Sequence, residues 1–138
     1  MKPVFLDTSG WANLFVRTEP FHQRAVDLVK TARHERRRVV SSNYVLAELS
    51  ALLMSPIRVP REARLQILSR IREASWVEIV HVVQAQDAAS WEYLTSRKDK
   101  DYSLVDCSSF VIMQREGMNE SLTADIHFEQ AGFIRLLK

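Results

Sequence analysis

Cysteine is nearly missing from this 138-residue chain. Cys107 stands alone in an apolar helical pattern, so no intramolecular disulfide can staple the fold, and a reducing, cytoplasmic setting is the expectation. Glycine and proline are also sparse, at three and four residues, and neither clusters. No flexible linker or low-complexity stretch is expected, and residues 1–138 read as a single domain. No apolar run approaches the roughly 18 residues of a membrane span, and the stretch before Asp7 is too short for the apolar part of a signal peptide. A membrane partner is therefore not expected.

Several chemistries are excluded by what the motifs lack. The four histidines are scattered and no His/Cys spacing supports zinc. Asp7-Thr8-Ser9-Gly10 is no GxGxxG turn, so dinucleotide binding is disfavoured. Ser9 also stands where an aspartyl-phosphate enzyme would want a second Asp, which argues against covalent carboxylate chemistry.

What the chain does have is apolar residues at 46% and an uneven distribution of charge beneath a net +2. Residues 1–75 hold 13 Lys/Arg against 7 Asp/Glu, and residues 76–138 hold 6 against 10. A basic region beside an acidic one suits a nucleic-acid backbone held over a cation, although a mixed solvated surface would have the same composition.

The periodicity alternates strand and helix. Val4-Phe5-Leu6, Val39-Val40, Val77 to Val80, Ser121-Leu122-Thr123 and Phe133 to Leu137 read as strands, and the intervening segments repeat apolar residues at helical spacing. Ser9 could cap a first short helix, and one of Ser41, Ser42 and Asn43 the helix carrying Val45, Leu46, Leu49 and Leu53. Ser103 and Asp106 form a capping box, and Gly117 can end the helix they start. The pattern predicts an α/β fold: a parallel sheet covered on both faces, with strand-to-helix loops gathered at its carboxyl edge.

Four acids fall where that edge would collect them. Asp7 and Asp125 follow strand tips, Asp106 sits in a first helical turn, and Glu48 lies beside a leucine-rich helical face. Each of the aspartates has an ordinary structural alternative, as a turn residue, a helix cap or a partner of a helix dipole. Together, four carboxylates in one partly dry cleft would demand cations, and an all-oxygen set favours Mg2+ or Mn2+. Asp7 would be the main ligand, with Asp106 and Asp125 beside it and Glu48 binding or orienting a water. Ser9 or Ser108 could assist by holding a metal-bound water or a phosphate. Such a centre points to phosphodiester hydrolysis.

Four stretches carry a resemblance. They are Phe5-Leu6-Asp7-Thr8-Ser9; Asn43-Tyr44-Val45-Leu46-Ala47-Glu48; Tyr102 to Phe110 around Asp106; and Leu122-Thr123-Ala124-Asp125-Ile126-His127-Phe128 continuing to Phe133. In this order and at this length the chain resembles the PIN-domain family, in particular the small VapC-like toxin ribonucleases of type II toxin-antitoxin pairs. The resemblance implies a three-layer α/β/α sandwich with a central sheet of about five parallel strands in the order 3-2-1-4-5. It also implies a Mg2+- or Mn2+-dependent endoribonuclease site at Asp7, Glu48, Asp106 and Asp125, an RNA substrate, a cognate antitoxin protein and a homodimer. The same acids would serve a PIN-type nuclease of ribosomal RNA maturation or of structured DNA, and a non-catalytic PIN scaffold binding RNA or protein is the remaining alternative. Ile126 stands where a basic residue is more usual, and Asp101 is a peripheral acid only.

Around the acids, His127 could touch a substrate phosphate or pack its own segment. Arg33, Arg36, Arg37 and Arg38, with Arg97, Lys98 and Lys100, are candidates for an RNA path. Trp11, Phe15, Phe21 and Tyr44 could line an apolar groove for a partner helix.

Overall fold

The computed structural model describes residues 2–138. Strand β1 (Val4–Leu6) lies at the centre of a parallel sheet, with all three of its side chains buried. That double-sided cover is why the run is continuously apolar instead of alternating. On one side β2 (Val39–Ser42) pairs with it, Val4 opposite Val39, and β3 (Val77–Val80) lies beyond. On the other side β4 (Glu120–Leu122) pairs Leu122 with Leu6, and β5 (Ile134–Arg135) closes the edge. The order is β3-β2-β1-β4-β5, all parallel, as expected.

Among the described residues seven helices connect the strands: α1 (Thr8–Phe15), α2 (His22–His34), α3 (Asn43–Met54), α4 (Arg61–Glu73), α5 (Gln84–Ser96), α6 (Leu104–Arg115) and α7 (Ile126–Gln130). α1 packs on α2 and α3, α3 on α4, and α5 on α6, the two groups that right-handed crossovers assign to opposite faces of the sheet. α3 also touches α6, which joins the two groups and carries Glu48 toward Asp106. Among the described residues no helix is long and apolar enough to cross a membrane.

The core is built from Phe5, Leu6, Trp11, Leu49, Phe110 and Phe128, each fully buried. Every such side chain contributes about 1.5–3 kcal/mol over leaving it in water. Polar groups inside are paired. The Trp11 Nε1–H donates to Ser41 Oγ at 3.0 Å, the Ser41 hydroxyl donates to the Leu6 carbonyl at 2.8 Å, and the Ser121 hydroxyl to the Phe5 carbonyl at 3.1 Å.

Three local expectations are corrected. Asp7, not Ser9, caps α1, because β1 runs into the helix with no intervening turn and Ser9 already lies in its first turn. β4 stops at Leu122, since the Thr123 hydroxyl turns aside to Asp7 and to the Asp125 N–H. β5 holds only two residues because Leu137 N–H reaches Thr123 O one residue out of step with the ladder that Leu136 continues. The expected aromatic groove does not form as one surface: Trp11 is sealed in the core and the Tyr44 hydroxyl donates to Asp87 at 2.6 Å.

Gly10 is the position the sheet leaves no room around. A Cβ there would overlap the Leu122 carbonyl oxygen, a backbone atom that β1–β4 pairing holds in place. Gly10→Ala is therefore expected to destabilise the fold by at least ~2 kcal/mol. A denaturant midpoint equal to that of the parent would contradict this close approach.

Candidate metal centre

Three of the helices that begin at the carboxyl edge of the sheet, α1, α6 and α7, each bring an aspartate by the rules of helix capping. Asp7 follows β1 and caps α1, its Oδ1 accepting the Gly10 N–H at 2.9 Å and the Ser9 hydroxyl at 2.9 Å. Its Oδ2 accepts the Thr123 hydroxyl at 2.8 Å. Asp106 closes the capping box of α6: its Oδ2 accepts the Ser103 N–H at 3.1 Å while Ser103 Oγ accepts the Asp106 N–H at 3.0 Å. Asp125 caps α7, with Oδ1 accepting the His127 N–H at 2.9 Å. Glu48 comes from the middle of α3, and its Oε1 accepts the Thr8 hydroxyl across from α1.

These four acids line one cavity of about 200 Å³, together with Thr8, Ser9 and Leu52. Larger hollows exist, of about 480 Å³ beside Phe15 and Trp76 and about 430 Å³ beside Arg36 and Trp76, but cations and apolar groups make up most of their walls. Only the smaller cavity gathers carboxylates, and chemistry outweighs size in choosing the candidate site.

The electrostatics are those of an acid cluster lacking compensation. Burial pushes the Asp7 carboxyl up to about 7 against the pull of its three hydrogen bonds, and the Asp125 charge adds to the rise. Glu48 is raised by burial first and then by the Asp106 and Asp125 charges, with the Thr8 hydroxyl opposing. Asp106 is raised by burial and by Asp125. The positive ends of α1 and α6 offset part of this cost. A cation would offset the rest, and the donor set fits a hard divalent ion: carboxylate and hydroxyl oxygens line the cavity and no sulfur does.

The auxiliary candidates separate. Ser9 lines the cavity, but its hydroxyl is engaged with Asp7 and also accepts the Ala124 N–H at 2.9 Å, so it braces the loop after β4. Ser108 does not reach the site: it is buried on α6 and donates back to the Val105 carbonyl at 2.7 Å, one turn earlier. Thr8 and Thr123, absent from the sequence-based set, are the hydroxyls that hold Glu48 and Asp7. Their signal in the sequence is a threonine within two residues of each of two strand tips. Asp101 stays exposed, outside the cavity.

The two basic groups also part company. Arg33 to Arg38 lead into the amino end of β2, at the pole opposite the acids. There Arg38 pairs with Glu78 and Glu116, Arg37 pairs with Glu120, and the Arg33 guanidinium lies 4.6 Å from the Trp76 ring centroid. Arg97, Lys98 and Lys100 occupy the segment between α5 and α6, where the Arg97 guanidinium lies 3.5 Å from the Tyr93 ring centroid.

Comparison with known proteins agrees with the fold. The PIN-domain family model matches residues 4–134. The chain belongs to the PIN-domain family. It is 31% identical to the 23S rRNA-specific endonuclease VapC20 of Mycobacterium tuberculosis over 133 residues, 96% of this chain and 97% of that protein. The crystal structure of VapC20, described as a Sarcin-Ricin loop cleaving toxin, superposes with a TM-score of 0.81 at 30% identity, covering 95% of this chain and 96% of the other. FitAcB from Neisseria gonorrhoeae shares the PIN fold at a TM-score of 0.68 and 16% identity, over 98% and 95% of the two chains. The parallel order 3-2-1-4-5 that the family resemblance implied is the order of this PIN domain.

The raised Asp7 fixes the sign of a pH effect in the ion-free protein. Its carboxyl keeps a proton up to about 7 when folded but loses it near the ordinary 3.8 when unfolded, so the folded state binds more protons in that window. Stability then falls as pH rises from about 4 to about 7. Asp7→Asn, which keeps the volume and can keep the cap, is expected to flatten this fall and to melt higher than the parent at about pH 8 in chelator. An unchanged pH slope in thermal melts would show that Asp7 is not desolvated as described.

Proposed function

We propose that this PIN domain is a divalent-metal-dependent endoribonuclease, the toxin of a toxin-antitoxin pair, acting in the cytoplasm on ribosomal RNA. The observation that carries the reading is the convergence of Asp7, Glu48, Asp106 and Asp125 on one cavity, from elements as far apart in sequence as β1 and α7. A similarity to VapC20 along nearly the whole chain supports ribosomal RNA as the substrate class. A cognate antitoxin and a homodimer belong to the same reading.

Asp7, Asp106 and Asp125 would hold Mg2+ or Mn2+, with Glu48 at the side. The bound ion would supply Lewis-acid activation of the phosphodiester and a hydroxide nucleophile at neutral pH. The protein's own part is orientation. Asp7 is fixed by donors on both of its oxygens, so it cannot swing away from an incoming charge. Glu48, held at Oε1 by Thr8, keeps Oε2 for an attacking water. Leu52 gives the cavity an apolar wall that limits bulk water and strengthens each charge interaction within. The cationic segment Arg97 to Lys100, which leads into α6, would contact the phosphate backbone.

The test is cleavage of total RNA by the purified protein, freed of any antitoxin, with mapping of the RNA ends. Cuts in ribosomal RNA are expected with Mg2+ or Mn2+, and none with chelator. Asp7→Asn and Asp106→Asn should each lower the rate by more than the roughly 10–100-fold that loss of an outer hydrogen-bond partner costs. Cleavage that persists in chelator, or unchanged rates in both variants, would overturn the metal-centre reading. Cuts confined to branched DNA would replace the substrate class.

A further inference from the structure

His127 approaches two of the acids with one atom. Asp125 caps α7 and binds the His127 backbone N–H, and the next residue, Phe128, is fully buried with its ring edge-on to Phe110 at 5.0 Å between centroids. That anchor sets the rotation of the short helix and turns His127 toward α6. Its ring packs edge-on to Tyr102 at 5.5 Å, which fixes the imidazole plane as well. Nδ1 then lies 3.2 Å from Asp106 Oδ2 and 3.3 Å from Asp125 Oδ1. Only the Asp106 contact has hydrogen-bond geometry, and an ionised carboxylate oxygen accepts and does not donate, so Nδ1 directs its hydrogen to Asp106 and meets Asp125 Oδ1 as a close charge contact.

The pattern of hydrogen bonds divides each carboxylate in two. Asp106 Oδ2 also accepts the Ser103 N–H, and Asp125 Oδ1 also accepts the His127 N–H. The imidazole thus meets the oxygens already turned to protein donors. Among the described residues, Asp106 Oδ1 and Asp125 Oδ2 accept no hydrogen bond, and both residues line the cavity. Carboxylates that bind a cation are commonly held in this way, one oxygen by an outer donor and the other open to the ion.

We propose that His127 is a positioning residue for the divalent cation, its Nδ1–H clasping Asp106 to Asp125 so that the open oxygen of each is offered to the same cavity. The inference rests on the metal-centre reading above and adds a residue that binds no ion itself. The clasp joins α6 to α7, two elements that otherwise present their acids independently.

The test measures Mn2+ binding by calorimetry without RNA, alongside thermal melts and nitrogen NMR of the imidazole in the ion-free protein. His127→Phe keeps a ring against Tyr102 but removes the donor, and is expected to weaken Mn2+ binding about 10–100-fold. His127→Asn, whose amide N–H can take the place of Nδ1–H, should recover most of that loss. The NMR signal should place a hydrogen on Nδ1. A His127→Phe protein that binds Mn2+ as tightly as the parent overturns the clasp, as does a bare Nδ1, or an Asn variant as weak as the Phe variant. A parent protein that binds no Mn2+ overturns the metal-centre reading and this role with it, whereas a binding parent with an unaffected Phe variant sinks the role of His127 alone.

Discussion

The Asp7 carboxylate is the joint on which the carboxyl edge of the sheet depends. It receives the first turn of α1 through Gly10 and Ser9, and the end of β4 through Thr123. The contact is close because Gly10 has no side chain to keep α1 away from the Leu122 carbonyl. Register between β1 and β4, entry into α1 and the position of the loop carrying Asp125 are therefore coupled through one buried acid. Its burial raises its proton affinity, so the group that organises this edge is also the one that most needs a counter-charge.

Structural and functional readings of the aspartates turn out to be compatible. Asp7, Asp106 and Asp125 are all helix-capping residues, and capping is how they are aimed. A cap uses some oxygen lone pairs on backbone N–H groups and orients the others outward, beyond the helix end. When several helices start at one edge of a parallel sheet, those remaining lone pairs converge. Glu48 is the exception, reaching the cavity from mid-helix, and it needs Thr8 to hold it.

Charge is segregated between the two poles of the strands. At the amino end of β2, Arg37 and Arg38 pair with Glu78, Glu116 and Glu120 and Arg33 stacks on Trp76, and these contacts brace the sheet edge. The pairs are short and several are exposed, so each contributes modestly to stability. The acids at the other pole have no basic side chain of that kind among their hydrogen-bonded partners; their partners are hydroxyls, backbone N–H groups and one imidazole. That contrast separates a structural ion-pair network from a site left with charge to neutralise.

The chain's alternation of apolar runs and helical periods determined the α/β class, the central place of Val4-Phe5-Leu6 and the ends of most elements, because burial on two faces and helix capping are local demands that residue types record. The four acids were legible for the same reason, each standing at a strand tip, a cap or beside a leucine face. Only the tertiary structure decided which neighbours serve them. Thr123 meets Asp7 across more than a hundred residues, Thr8 meets Glu48 between two helices, and His127 spans two acids because Phe128 is locked against Phe110. It also decided that Ser108 turns back onto its own helix and that Trp11 belongs to the core. A hydroxyl or an imidazole can satisfy itself locally or across the fold at similar energy, so its residue type alone does not say which; packing of the elements around it does.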